Sequence, residues 1–509
     1  MFKKLIYLLF HRSVFVALSL LLQCATIVFM ISFFSEHTSL FYQVCIAISI
    51  FSALLILGSR MESAYKIAWL LLVLPFPVFG GVFYLLIGSG HISPRSQERM
   101  QRIAQQSAQQ LKADFKADDL LPMGEDAASQ ARYLERYACA PAYTNTETEY
   151  FSLGDAAFPS MISALKTAEH YIFLEYFIID KGVFWETILE VLEEKAAQGV
   201  EIRIIYDDMG CMLTLPRNYN EQLHAKGIQC RVFNRFVPIL SLRLNNRDHR
   251  KLLIVDGKIG YTGGINLADE YINRRNRFGH WKDSVLRLEG DAVWSMTVMF
   301  LTMWDFCCGW EEDLSQFRPP PTQVKVWTGY VQPYTDTPLD QEAVGQTVYL
   351  NMISKARKYI YITTPYLIID GATNTALCNA AKSGVDVRII TPHIPDKRYV
   401  QEVTKAHYPP LLEAGVRIYE YTPGFIHAKN FVVDDRFATV GTVNLDYRSL
   451  FLHFEDGVWM CDAPCIRDIR DDFLHTISHC ERVTLRRWRR LNPIVRLYRN
   501  LLRVFAPLM

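Results

Sequence analysis

The sequence has no excess of charge of either sign, because 54 lysines and arginines are balanced by 53 aspartates and glutamates, giving a formal net charge of +1. Overall charge therefore gives no reason to expect a nucleic-acid partner, and none is predicted. The 11 cysteines include no CxxC pair, so neither a cysteine metal site nor a redox site is predicted. Reduced thiols facing a cytosol are the favoured interpretation.

Two stretches near the N-terminus, residues 13–34 and about 39–58, contain no charged side chain. Each is close to the roughly 20 residues that a helix needs to cross a bilayer core. No small-x-small cleavage site follows the first stretch, which disfavours a signal peptide. Residues 1–62 are therefore predicted to form a hairpin of two transmembrane helices.

The short loop between these two stretches contains no lysine or arginine, whereas Lys3, Lys4 and Arg12 precede the hairpin and Arg60 and Lys66 follow it. Basic residues in short flanks are typical of the cytoplasmic side. Both ends of the hairpin, and the body of the chain after it, are therefore expected in the cytoplasm. Labelling of a cysteine in the body only from outside intact cells would contradict this orientation.

A third apolar stretch, residues 67–87, is interrupted by prolines and glycines and is flanked by basic residues on both sides. This symmetry favours a re-entrant or interfacial segment at 63–92 over a third membrane span. The third span stays open as an alternative, and it would place everything downstream outside the cell. Residues 93–142 are polar, and we predict a helical linker there.

The rest of the chain contains an internal repeat, in which residues 168–180 resemble residues 356–370 and each copy continues into a helical pattern and a β-branched run. Alternating strands and helices of this kind predict βαβ units and a mostly parallel sheet. The predicted fold class is therefore α/β, with two similar lobes at 143–325 and 326–480. A duplication also occurs in purely structural repeats, so it does not by itself indicate chemistry.

Each lobe ends in the pattern His-x-Lys-x4-Asp, followed by Gly-x-x-Asn at the same distance. The residues of the two copies are His249, Lys251, Asp256 and Asn266, and His427, Lys429, Asp434 and Asn444. A histidine and a lysine two positions apart on a strand point to the same face. One such triple is a weak signal, since it arises by chance, but two copies with identical spacing strongly indicate a site.

These residue types suit a phosphodiester. Ammonium groups and side-chain amides can hold anionic phosphate oxygens and the charge of the transition state. One histidine can attack phosphorus while the other protonates the leaving alkoxide, and two related lobes would present them from opposite sides. The paired histidines could instead bind a metal. The two lysines disfavour that use, and no ligand cluster is evident in the sequence, so neither metal nor cofactor is predicted.

The repeated motifs resemble the HKD signature of the phospholipase D superfamily, and nearly the whole chain is similar to the bacterial cardiolipin synthases. Further matching segments are Glu175-Tyr-Phe-Ile, Phe278-Gly-His-Trp-Lys-Asp and Asn444-Leu-Asp-Tyr-Arg-Ser. Val443 departs from the alanine or serine usual in that family. The resemblance implies a metal-independent exchange in a bacterial cell membrane, in which two phosphatidylglycerol molecules give cardiolipin and glycerol through a phosphatidyl-histidine.

The resemblance also implies a role for each site residue, with His249 as nucleophile and His427 as general acid and then base, although the reverse assignment stays open. Asp256 and Asp434 belong to the catalytic motif and are expected to brace its strand. The residues expected to bind phosphate are Lys251, Lys429, Asn266, Asn444 and Thr442. Asp283 and Glu455 are expected to orient the two histidines.

Residues 481–509 mix arginines with Trp488, Leu491, Ile494 and Leu497 and are predicted to form a basic amphipathic helix. Such a helix suits an anionic membrane surface, and a solvated helix is the alternative. Three rival functions remain: a hydrolytic phospholipase D, a nuclease of the same superfamily and a non-enzymatic membrane scaffold. The second lipid substrate and homo-oligomer formation are left open by the sequence.

Overall fold

A computed structural model describes residues 39–76, 80–85, 94–111, 116–235, 245–320, 329–340 and 342–508, with isolated positions between 21 and 33. The first predicted membrane segment thus lies largely outside the described residues. The second segment coincides with helix α1, Ser39–Gly58. It is followed by α2 Ser63–Val73 and the short α3 Gly80–Phe83. Among the helices of the described ranges, none combines the length and the apolar character of a membrane span.

Residues 94–137, in the predicted linker, contain helices that pack on both lobes. Its elements are α4 Pro94–Gln110, a 3-10 helix at Ala117–Met123 and α5 Glu125–Tyr137. On α4, Arg99 donates to the carbonyl oxygens of Asp305 and Phe306 in the first lobe. In the second lobe, the buried Gln332 Nε2 donates to the carbonyl oxygens of Ala131, at 3.0 Å, and Ala140, at 2.6 Å.

The first lobe contains a seven-stranded sheet with strand order β1-β8-β6-β5-β2-β3-β4. Its elements are β1 Thr146–Phe151, α6 Gly154–Lys166, β2 Tyr171–Tyr176, α7 Val183–Ala197, β3 Glu201–Asp207, α8 Tyr219–His224, β4 Gln229–Phe233, β5 Lys251–Val255, β6 Ile259–Gly263, β7 His280–Lys282, β8 Val285–Gly290 and α9 Val293–Cys308.

The second lobe contains an eight-stranded sheet with strand order β17-β12-β11-β10-β14-β15-β16-β9. Its elements are β9 Tyr330–Asp336, α10 Val344–Lys355, β10 Tyr359–Thr363, α11 Gly371–Lys382, β11 Asp386–Pro392, α12 Arg398–Ala406, α13 Tyr408–Ala414, β12 Arg417–Tyr421, β13 Gly424–Ile426, β14 Asn430–Val433, β15 Phe437–Gly441, α14 Tyr447–Phe451, β16 Glu455–Cys461, α15 Cys465–Ile477 and β17 Cys480–Arg482.

The two sheets have the same strand order apart from the added edge strand β17, so the predicted duplication of an α/β lobe is confirmed. The prediction of a mostly parallel sheet is wrong. Only β2-β3-β4 and β10-β11-β12 pair in parallel, while the remaining pairs within each sheet are antiparallel. The reason is that β5–β6 and β14–β15 are joined by tight turns, and a tight turn can only join antiparallel strands.

The lobes share one hydrophobic core. Buried residues of β2 and β5 in the first lobe and of β14 and β16 in the second belong to the same cluster, together with the helices α9 and α15. A second cluster lies within each lobe. Because the shared core holds the sheets together, the ends of β5 and β14 keep a defined position relative to each other.

The C-terminal segment is more divided than the single predicted helix at 481–509. It contains the edge strand β17, then α16 Leu485–Arg489 and α17 Pro493–Phe505. Pro493 lacks the N–H that an uninterrupted helix would need, so α17 starts anew there, with the Asn492 side chain accepting from the N–H of Ile494. Arg499 ties α17 to the body through a 2.6 Å ion pair with Glu402.

Candidate active site

The histidine of each motif is pinned to the other lobe by its own backbone. The N–H of His249, just before β5, donates to the Phe454 carbonyl at 2.9 Å. The N–H of His427, just before β14, donates to the Lys282 carbonyl at 2.7 Å. In addition, β7 of the first lobe pairs with β13 of the second. The two motifs therefore meet at the junction of the lobes.

Each histidine takes its carboxylate from the opposite lobe. His249 Nδ1 lies 2.9 Å from Oε2 of Glu455, and His427 Nδ1 lies 2.7 Å from Oδ2 of Asp283. Both carboxylates are fully buried. An ionised carboxylate only accepts hydrogen bonds, so each Nδ1–H donates. Nε2 of His249 is then available to a substrate, whereas Nε2 of His427 lies beside Nζ of Lys429. The two acids are those the family resemblance indicated, and the structure shows which histidine each one contacts.

Two buried ammonium groups lie beside the imidazoles. Lys251 and Lys429 are 1% and 2% exposed, and each Nζ donates to the carbonyl oxygen of the histidine two residues earlier. Lys429 Nζ also lies 3.0 Å from Nε2 of His427. Both lysines and both histidines thus lie on one face of their strands, as the spacing predicted.

The histidines and lysines of the two motifs influence one another's protonation. Burial lowers the pKa of His249 well below its usual value, and the charges of Lys251, Lys429 and His427 lower it further. Burial and the neighbouring Lys429 lower the pKa of His427 to about 4. Burial also lowers the pKa of Lys251 to about 8 and that of Lys429 to about 7. Cationic groups crowded in this way favour a bound anion.

Comparison with known proteins agrees with this geometry. A family model described as "Cardiolipin synthase, PLD-like domain" matches residues 161–278 and 349–477, and one described as "Phospholipase_D-nuclease N-terminal" matches residues 47–89. A cardiolipin synthase of Geobacillus kaustophilus is 34% identical over 90% of this chain and 92% of its own length. One of Alkalihalophilus pseudofirmus is 32% identical over the same shares. The chain belongs to the cardiolipin synthase family of phospholipase D-like proteins.

An uncharacterized protein of Streptococcus mutans is 45% identical over 85% of this chain and 94% of its own length. Among solved structures, the phosphatidylserine synthase of Haemophilus influenzae superposes with a TM-score of 0.54 at 14% identity, covering 72% of this chain and 95% of that one. At that identity the likeness supports the fold, with its two phospholipase D-like lobes.

The predicted phosphate-binding residues of this cardiolipin synthase family member are all buried near the lobe junction, and part of their hydrogen-bonding capacity is already used. Asn266 Nδ2 donates to Tyr271 Oη at 2.8 Å, and Asn444 Nδ2 donates to Ser449 Oγ at 3.0 Å. An amide nitrogen has two N–H groups, so each retains one for a ligand. The hydroxyl of Thr442 instead bonds the backbone of Asp456, so the contacts of Thr442 favour a structural role.

Asp256 and Asp434 lie at the far ends of β5 and β14, away from the histidines. Asp256 accepts hydrogen bonds from three successive backbone N–H groups at 2.7–2.8 Å, those of residues 169–171. Asp434 does the same at 2.6–2.8 Å with residues 357–359. Both carboxylates are thus committed to the chain that enters the neighbouring strand. These contacts support the bracing role rather than direct participation in chemistry.

Two side chains that the sequence reasoning missed contact the orienting carboxylates. Trp281 Nε1 donates to Asp283 at 3.5 Å, and His453 Nδ1 lies 3.4 Å from Glu455. Each precedes its carboxylate by two residues. An alignment of the two halves around Asp283 and Glu455 would have shown this shared offset, which is the signal that was available.

The structure also corrects the statement that no metal-ligand cluster is evident. Within the described ranges, the ligand atoms of His249, His453 and Glu455 all lie within 4.8 Å of one another. His249 is hydrogen-bonded to Glu455, while His453 lies beside the other oxygen of the same carboxylate at 3.4 Å. The charges of Lys251 and Lys429 act on the same histidine and would repel a cation, so we assign no metal to this cluster.

Proposed function

We propose that this protein is a cardiolipin synthase, which transfers a phosphatidyl group from one phosphatidylglycerol to another and releases glycerol. The observation that carries this proposal is the reciprocal pairing, in which each imidazole is oriented by a carboxylate of the opposite lobe while two buried lysines flank the same volume. Relatives that are themselves named cardiolipin synthases support the choice of a lipid over a nucleic acid.

In the first step, Nε2 of His249 attacks phosphorus. The low pKa of His249 keeps its imidazole neutral at physiological pH, and Nδ1–H donation to Glu455 leaves the Nε2 lone pair free. Glu455 stabilises the positive charge that the ring gains as the N–P bond forms. The P–O bond to the glycerol headgroup breaks, and a proton from His427 passes to the departing oxygen.

The second step reverses these roles. A headgroup hydroxyl of a second phosphatidylglycerol gives its proton to His427 and attacks phosphorus, and the P–N bond breaks to restore His249. His427 must begin the cycle protonated, although its pKa is about 4 without substrate. A bound phosphate anion offsets the charge of Lys429 and raises that pKa, so substrate binding itself prepares the general acid.

The lysines give the reaction an alkaline limit. Both are proposed to hold phosphate as cations, and their pKa values are about 8 for Lys251 and about 7 for Lys429. Protonation is lost as pH rises through these values, Lys429 first, so kcat/KM is expected to fall above about pH 7. Bound phosphate raises both pKa values, so kcat should fall only at higher pH. Initial rates in phosphatidylglycerol–detergent micelles would check this, and a flat kcat/KM profile to pH 10 would contradict it.

We also propose that α2 and the C-terminal helix α17 face the lipid surface together. On α17, Ile494, Leu497 and Leu501 are 74%, 70% and 56% exposed and lie on one side of the helix. On α2, Ile67 is 55% exposed. The two helices contact each other through a small apolar cluster that includes Tyr65. Exposed apolar surface beside arginines is typical of interfacial helices on anionic lipid.

A nitroxide label would test this placement in proteoliposomes containing phosphatidylglycerol. A label at Leu497→Cys, with the exposed Cys139 replaced by serine, is expected to be reached by oxygen and shielded from a water-soluble nickel reagent. A label at the exposed Ser383→Cys of the second lobe serves as the matched control and should show the opposite preference. Equal nickel accessibility at both positions would contradict the proposal.

Product analysis tests the function directly. Purified protein incubated with labelled phosphatidylglycerol is expected to give cardiolipin and glycerol in equal amounts. Phosphatidic acid as the main product would instead assign a hydrolytic phospholipase D, with water as the acceptor. Adding phosphatidylethanolamine to the same assay would show whether a second lipid can take the acceptor's place.

A further inference from the structure

The second oxygen of Glu455 faces a histidine that the proposed mechanism does not use. Oε2 of this carboxylate lies 2.9 Å from Nδ1 of His249 and is hydrogen-bonded to it, whereas Oε1 lies 3.4 Å from Nδ1 of His453. Oε1 of Glu455 and Nδ1 of His453 are both buried, and neither makes a hydrogen bond within the described part of the chain. The rings of the two histidines are 5.4 Å apart and inclined by 41°. Oε1 of the fully buried Glu455 therefore faces a potential donor that a small movement would bring within hydrogen-bond distance.

The first lobe contains an equivalent arrangement of different chemistry. Trp281, two residues before Asp283, donates its indole N–H to Oδ2 of that carboxylate at 3.5 Å, and its ring lies 5.5 Å from the ring of His427. The residue at this offset thus contacts the orienting carboxylate in both halves. Because the same offset recurs in both lobes, the contact indicates a role for this position in the site.

His453 is well placed to stay a neutral donor. Its side chain is 11% exposed, and its backbone N–H is held by the carbonyl of Arg448 at 2.9 Å. Burial, with smaller contributions from Arg448 and His249, lowers the pKa of His453 to about 3, although Glu455 opposes the shift. A neutral imidazole carries one N–H, and the carboxylate is the acceptor nearest to Nδ1.

His453 also lines a cavity of about 720 Å³. The charged side chains that line this cavity with His453 are Arg60, Glu62, Asp336, Asp340 and Glu342. Asp336 is paired in register with Glu455 across β9 and β16. His453 thus lies next to Glu455 and also borders this cavity.

We propose that His453 is a positioning residue, which donates to the second oxygen of Glu455 and so sets the orientation and the basicity of His249. The proposal rests on the proposed role of His249 in attacking phosphorus. With Oε1 occupied, the carboxylate is held in one rotamer, and part of its charge is withdrawn from His249. Partners of this kind typically change activity by about 10- to 100-fold when they are removed.

Replacing His453 by phenylalanine keeps the ring volume and removes the donor. We expect kcat for headgroup release to fall about 10- to 100-fold while KM changes less than about threefold. Glu455 then acts on His249 alone and stabilises its imidazolium more strongly, so the pKa of His249 rises. Less of the nucleophile is neutral at low pH, and the acid limb of kcat/KM should therefore move to higher pH.

His453→Gln supplies a side-chain N–H without a titrating ring and is expected to restore most of the rate and the wild-type acid limb. The control is His475→Phe in the exposed part of α15, which should change neither. Melting temperatures establish that each variant is folded. Equal losses in the phenylalanine and glutamine variants, or an unmoved acid limb in the phenylalanine variant, would overturn the proposal.

Two features of this experiment distinguish failure of the positioning role from failure of the proposed function. The assay follows glycerol release, which reports chemistry at phosphorus whether the acceptor is a lipid or water. The pKa of His249 is also followed by NMR of ring-labelled histidine in detergent, with no turnover required. A main product of phosphatidic acid would thus overturn the synthase assignment alone, whereas an unshifted His249 resonance titration in His453→Phe would overturn the positioning role alone.

Discussion

Replacing His249 by alanine is expected to abolish phosphatidyl transfer, with kcat falling by at least about 10⁴-fold, because the proposed phosphatidyl-histidine forms on Nε2 of this residue. His427→Ala is expected to reach a similar loss, since an alkoxide would have to leave unprotonated. Glycerol and cardiolipin measured from labelled phosphatidylglycerol check both results. Full activity in either variant would refute the mechanism, as would loss of wild-type activity on chelation of metals alone.

A substrate with a nitrophenolate leaving group separates the two roles. Nitrophenolate leaves without a proton, so His427→Ala should recover a burst of nitrophenolate from this phosphatidyl ester, while His249→Ala should not. The reverse pattern would make His427 the nucleophile. His475→Ala, an exposed histidine of α15, is the matched control and should behave as wild type with both substrates.

Glu455→Gln and Asp283→Asn are expected to lower kcat by about 10²- to 10⁴-fold each while keeping the shape of the site. An amide presents an N–H as readily as an oxygen, so the histidine is no longer held with its proton on Nδ1. The amide also removes the negative charge that stabilises the imidazolium. Each substitution should change the titration of the histidine in the opposite lobe. Glu455→Gln perturbs His249 of the first lobe, and Asp283→Asn perturbs His427 of the second.

Ring-labelled histidine NMR can verify this crossing, because each variant should shift the titration of one histidine and leave the other near its wild-type position. The matched control is Glu420→Gln, since Glu420 is buried and lies 3.1 Å from Nδ1 of His393, with β12 separated from β14 by β11 and β10. This control is expected to stay within about threefold of the wild-type rate. A Glu455→Gln variant that altered only His427 would contradict the assigned pairing.

Much of the site could be predicted from the sequence because its chemistry is carried by short local patterns. His249 and Lys251 share a face whatever surrounds them, since side chains of a strand alternate with a period of two. The equal spacing in the second copy predicted a duplicated lobe, and the structure confirms it. The mostly parallel sheet was predicted wrongly, because the pattern of strands and helices before each motif is parallel while the motif strands themselves return through tight turns.

The roles of the individual polar residues depend on tertiary contacts, which local sequence patterns do not reveal. Thr442 was predicted to bind phosphate, yet its hydroxyl bonds the backbone of Asp456. Asp256 lies in the motif but holds the start of β2. The sequence did not indicate a role for His453, because this histidine lies outside both motifs and its position beside Glu455 is a tertiary contact.

The sequence by itself indicated the candidate reacting groups and determined the repeat and the family. Only the tertiary structure decided that the carboxylate for His249 lies 206 residues further along the chain and the one for His427 lies 144 residues earlier. The reason is physical: residue type and strand periodicity act over a few bonds, whereas a pairing across two lobes exists only once the shared core has packed their sheets together. In the packed structure, a carboxylate of each lobe contacts Nδ1 of the motif histidine of the other lobe.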